Sequence, residues 1–251
     1  MAQLIAFDLA KSKERTSLGL PLRGSLLYNA TMRLNVEYST EKDVQTHLNL
    51  GFKFNALAHG RKNPREDLLN KYNPELKKII LDSTSEEEAK EQITKYLTKY
   101  KRENEDKIKR GIKRLEDEWE IVGDAIINSL ENLYKKPWPF EEITVYLTTN
   151  KIFQYNYEKR YFFADIDYLL PQLSIAKHEL NHFMFYYYYP NLIDKLGKEK
   201  YELLKESLTY FSNPEQRGKP NEDGLRKLYS TRIWENLDKA IMEGVKFLNK
   251  H

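Results

Sequence analysis

The sequence predicts an α+β fold, and three observations carry it. Residues 86–135 hold no proline and repeat apolar side chains at helical spacing. Ile143–Thr149 is a β-branched and aromatic block, followed at once by a hairpin pattern. From residue 171 the helical pattern returns and lasts to the end. Strands bracketed by helices on both sides give an α+β chain rather than an alternating one. At 251 residues there is room for one or two domains. The reading divides them into residues 1–84, a mixed region of unknown role, and residues 85–251.

Residues 1–10 read as a short helix. Leu26-Leu27-Tyr28 and Met32–Tyr38 read as strands, the second alternating apolar and polar. His47–Phe54 alternates as well and is expected to be extended. Gly60–Pro64 marks a turn, and residues 65–82 are helical with an interruption at Asn73-Pro74. Ser83-Thr84-Ser85 before Glu86-Glu87-Glu88 is a helix start, with a hydroxyl cap and acids in the first turn. The helix runs to about Lys135, with Gly111 as the expected kink. Its first half is a solvated, ion-paired surface. Its second half carries the stripe Leu115, Trp119, Val122, Ile126, Leu130 and Leu133. Pro137-Trp138-Pro139 ends it. Residues 153–157 and 161–164 form a hairpin around Glu158-Lys159-Arg160. Helices are expected at 171–189, 193–208 and 225–248, with a loop over 211–224.

The helix at 171–189 contains His178-Glu179-Leu180-Asn181-His182, an H-E-x-x-H pattern. Residues four apart lie on one helix face. Both imidazoles then point at one place, where Zn²⁺ takes nitrogen ligands at ~2.0–2.1 Å. Glu179 flanks that place and suits a general base acting on water. A catalytic zinc has three protein ligands and one open position. The chain has no cysteine, and its other histidines, His47, His59 and His251, have no partner at ligand spacing. The third ligand is therefore expected to be a carboxylate, from Glu199, Glu202 or Glu206.

Composition narrows the rest. A formal charge of +3 with interleaved signs gives no nucleic-acid footprint. No window reaches the ~20 apolar residues of a membrane span. The first residues have no basic segment before an apolar one, so no signal peptide is read. The lack of cysteine excludes disulfides and thiolate ligands and is compatible with a cytoplasmic location. Four tyrosines, Tyr186–Tyr189, end the motif helix; at most two can face a metal, and packing with a wet hydroxyl end accounts for the rest.

His178-Glu179-x-x-His182 together with Lys205-Glu206-Ser207-Leu208-Thr209 resembles the gluzincin metallopeptidases, the thermolysin-like group, and in layout their minimal members. The metzincin pattern is excluded, because Phe185 and Tyr188 stand where it needs Gly and His. The resemblance covers about residues 112–212. It implies a zincin-like fold with a backing helix, a small twisted mixed sheet, the active-site helix and a helical C-terminal subdomain. It implies zinc held by His178, His182 and Glu206, with Glu179 as base, and a peptide or protein as substrate. The edge strand bordering the cleft is either Ile143–Thr149 or the hairpin after it. Glu206 is preferred over Glu202 because small Ser207 follows it, whereas bulky Leu203 follows Glu202. Glu202 also sits among Lys198, Glu199, Lys200 and Lys205, as a solvated residue does. Where thermolysin relatives carry an Asp that orients a ligand histidine, this chain has Tyr210, so the outer partners differ. Tyr210, Tyr229 and Arg232 are candidates for oxyanion stabilisation. Rival readings are a latent or degenerate zincin acting as a regulatory interaction protein, a metal-free helical protein, and a zinc hydrolase of non-peptide substrates.

Overall fold

The computed structural model describes residues 32–53, 72–151, 154–167, 172–215 and 218–250. Strand β1 (Arg33–Glu37) leads into α1 (Thr40–Leu48) and a π-helical turn (Asn49–Lys53). Three helices follow: α2 (Pro74–Asp82), α3 (Glu86–Glu103) and α4 (Glu105–Tyr134). Next come β2 (Glu142–Thr148), β3 (Tyr155–Asn156) and β4 (Tyr161–Asp165). The chain ends in α5 (Gln172–Tyr188), α6 (Leu192–Ser212), a 3₁₀ turn (Pro220–Glu222), α7 (Asp223–Ser230) and α8 (Leu237–Lys250). The expected helix at 1–10, strand at 26–28, turn at 60–64, and His59 and His251 lie outside the described residues.

The four strands lie in the order β1-β2-β4-β3. β1, β2 and β4 are parallel, and β3 returns antiparallel to β4 as the expected hairpin. Ile143, Val145 and Leu147 of β2 are fully buried, as alternation in a covered strand requires. α4 packs on β1 and β2. Its buried positions Leu115, Trp119, Gly123, Ile126 and Leu130 follow at steps of three and four. Trp119 also donates its indole N–H to the Met32 carbonyl at 3.2 Å. α5 packs between β4, α4 and α6.

Several expectations are corrected. Residues 47–53 are helical, not extended. Ser39 caps α1 by accepting from the Lys42 N–H at 3.3 Å, and Val44 and Leu48, one turn apart, are buried. Leu76 and Ile80 of α2 and Ala89, Ile93 and Leu97 of α3 complete that small core. The break at Asn73-Pro74 is a helix start: Asn73 accepts from the Glu75 N–H at 2.9 Å and Pro74 takes the first position. The long helix divides at Asn104, not at Gly111. Gly111 is a contact point instead, since a Cβ there would lie 3.1 Å from Leu147 Cδ1 of β2. Gly111→Val is therefore expected to cost about 1–3 kcal/mol by overpacking, read as a lower urea midpoint; an unchanged midpoint would show that α4 has slack over the sheet.

The expected last helix is two, α7 and α8, because residues 231–236 break it. Ile233, expected to pack, is 98% exposed, and Trp234 packs against Tyr229 instead. The described residues all fall in one compact unit. β1 is a sheet strand, and Asp43 of α1 accepts from the Thr149 N–H at 3.1 Å and its hydroxyl at 3.0 Å. β2 is interior, so the edge next to α5 is β3. No helix among the described residues is long and apolar enough to cross a membrane.

Candidate metal centre

α5 places His178 and His182 one turn apart, with their Nε2 atoms separated by 2.9 Å. α6 brings in Glu206, whose Oε1 lies 3.5 Å from His182 Nε2 and Oε2 3.8 Å from His178 Nε2. Around a tetrahedral ion with ligands at ~2.0–2.1 Å, donor atoms stand ~3.3–3.4 Å apart. Separations of 2.9, 3.5 and 3.8 Å bracket that value, so the three donors fit one zinc. The donor chemistry fits as well. Burial holds the His182 pKa well below its ordinary value, which keeps the imidazole neutral and able to ligate. Among the described residues these three form the group of metal-ligating side chains.

The motif helix is fixed from behind. Tyr134 of α4 donates its hydroxyl to Asn181, to the carbonyl at 3.1 Å and to Oδ1 at 2.9 Å. Glu179 is 5% exposed, and among the described residues its Oε2 has no hydrogen-bond partner. Burial first, then the Glu206 charge, push its carboxyl up to about 8, against the pull of Lys205 and Lys219. Among the described residues His182 Nδ1 is buried with no hydrogen-bond partner of the kind that usually orients such a histidine.

Two lysines flank Glu206. Lys205 Nζ is 3.1 Å from Oε1 and Lys219 Nζ is 3.2 Å from Oε2. Burial alone would raise the Glu206 pKa, but Lys205, His182, Lys219 and His178 together hold it well below the carboxylate range. Lys205 is almost fully buried. It also reaches the Tyr155 hydroxyl, Tyr186 at 3.4 Å and Glu202 at 2.9 Å. Tyr155 and Tyr186 share a hydroxyl contact of 2.7 Å, and Tyr186 donates to Glu202 at 2.8 Å. The Tyr155 ring, on edge strand β3, lies 5.4 Å from the His182 ring. Burial pushes the Tyr155 hydroxyl up to about 12, moderated by Lys205.

The structure thus brings His178, His182, Glu206 and Glu179 together. Glu202 is engaged by Lys205 and Tyr186, one turn from the ligand position, and Glu199 is exposed. Ser207 is buried, as its small size suits. Tyr210, Tyr229 and Arg232 line a cleft of about 660 Å³ whose walls include none of the motif residues. Tyr229 is 1% exposed and packs on Phe211 and Trp234, while Arg232 lies over Trp234 at 4.0 Å. Of the four tyrosines, Tyr186 reaches the centre; Tyr188 donates to the Pro137 carbonyl and Tyr189 to Asp238.

Sequence does not single out Lys205, Lys219 or Tyr155 for the site, and it names Tyr186 only within the run Tyr186–Tyr189. For Lys205 a signal existed. Tyr201, Leu204, Leu208 and Ser212, the buried face of α6, are spaced so that position 205 falls within it. The surrounding charge run hid this. No protein-family model, no curated protein and no solved structure matches this chain.

Proposed function

We propose that the chain is a zinc-dependent peptidase of the gluzincin kind. The observation that carries the reading is the triangle of His178, His182 and Glu206 donor atoms, matched to the edges of a zinc tetrahedron, with buried Glu179 beside it. α4 against the sheet corresponds to a backing helix, and β3 to the edge strand beside the site. A zinc ion, when bound, supplies Lewis-acid polarisation and acidifies water. Glu179 takes the proton of the attacking water and passes it to the leaving amine. His178, His182 and Glu206 hold the ion. An extended substrate pairs its backbone along the β3 edge.

Protein purified without chelator is expected to carry about one zinc per chain. Glu179→Gln is expected to keep that zinc and to lose at least ~10²-fold in cleavage of a peptide library, the scale of general-base catalysis. Near-normal turnover in this variant, or no zinc in the wild type, sinks the reading. The two ammonium groups on Glu206 favour a second reading, a latent zincin acting through a partner. Full zinc occupancy with no cleavage by the wild type selects it.

A further inference from the structure

We infer that Lys219 is the cation that stabilises the oxyanion in the reaction proposed above, on which this inference rests. During attack the water oxygen bonds to the carbonyl carbon, the C=O π pair moves to oxygen, and Glu179 receives the proton. The oxyanion then collapses, the C–N bond breaks, and the amine nitrogen takes the proton back from Glu179. Negative charge thus develops on one oxygen next to the histidine and glutamate cluster. A preorganised donor there is worth far more than one in water.

Among the described residues two lysines touch the cluster, and their surroundings separate their roles. Lys205 is 1% exposed and enclosed by Tyr155, Tyr186, Glu202 and Glu206, so no substrate atom reaches it. Lys219 meets Glu206 at 3.2 Å with its side chain 34% exposed, so unlike Lys205 it is partly open to solvent. Its base is fixed. The Lys219 carbonyl accepts from the Glu222 N–H at 2.9 Å. Buried Glu222 holds Arg226 at 2.8 Å, and Arg226 donates to Thr209 of the ligand helix at 2.8 Å. Gly218 permits this approach, since a Cβ there would strike Arg226 at 2.2 Å. A long flexible side chain on a rigid anchor can move between the Glu206 carboxylate and a substrate oxygen. A dication on Glu206 weakens the lysine's hold on that carboxylate and favours the second position.

The test uses Lys219→Met and Lys219→Arg in the full chain. Zinc content and chelator competition should stay near wild type in both. In Lys219→Met, kcat on the best library peptide should fall ~10²-fold or more, with KM little changed. Affinity for a phosphinic peptide, a tetrahedral anion mimic, should fall in parallel, while affinity for a peptide hydroxamate should not. Lys219→Arg should restore part of the loss. A kcat within about threefold of wild type, on the same scale, overturns the assignment. So does an equal loss of phosphinate and hydroxamate binding, or a loss of zinc that accounts for the activity; in those cases Lys219 only braces Glu206. Inactive, zinc-free wild-type protein overturns the peptidase reading, and this inference with it.

Discussion

Lys205→Met is expected to cost about 3–5 kcal/mol of folding stability, the usual penalty for removing one partner of a buried ion pair. The substitution keeps most of the volume and removes the charge. It removes the cation that Glu206 and Glu202 share, and the Tyr155 and Tyr186 hydroxyls lose a donor. Against a total of ~5–15 kcal/mol for a typical domain, that loss brings the protein close to unfolding at 37 °C. The urea midpoint followed by circular dichroism measures it. Adding Glu202→Gln should recover part of the loss, because the remaining carboxylate pair is then discharged. A Lys205→Met protein as stable as wild type would mean that the cluster tolerates an apolar replacement.

The second large effect concerns the metal. His178→Ala with His182→Ala should abolish zinc binding. Glu206→Ala should weaken it by more than the ~10–100-fold that loss of an outer partner costs. Glu202→Ala should stay within about tenfold, since it touches the site only through Lys205 and Tyr186. Chelator competition ranks the variants. Release of zinc by Glu202→Ala and not by Glu206→Ala would reverse the ligand assignment.

The elements with strong local signals were legible in the sequence. The stripe from Leu115 to Leu130, the β-branched run at 143–148 and the hairpin around residue 159 all stand where their periodicity puts them. So do the histidines, because one helical turn is a local property. What failed was non-local or punctuated. Alternation over 47–54 matches a strand on paper, yet a cap at Ser39 and packing against α2 and α3 make residues 47–53 helical. Gly111 looks like a breaker, but its missing side chain admits Leu147 of a strand that follows it in sequence. The lysines beside Glu206 were hidden because a buried charge cannot be told from a solvated one until its partners are known.

The parallel pairing of β1 with β2 has a consequence for how the chain is made. Arg33 lies opposite Glu142, so β1 leaves the ribosome roughly a hundred residues before its partner exists. Parallel pairing at that separation is slow to form, because the closure entropy of a long intervening segment comes first. In the interval β1 is an unpaired edge, open to other nascent chains. The local α1–α2–α3 cluster can condense earlier, and it holds the segment next to β1 in place while α4 and β2 are synthesised. Synthesis would therefore proceed from this helical cluster to the sheet, and last to α5 and α6, whose meeting brings Glu206 to the histidines.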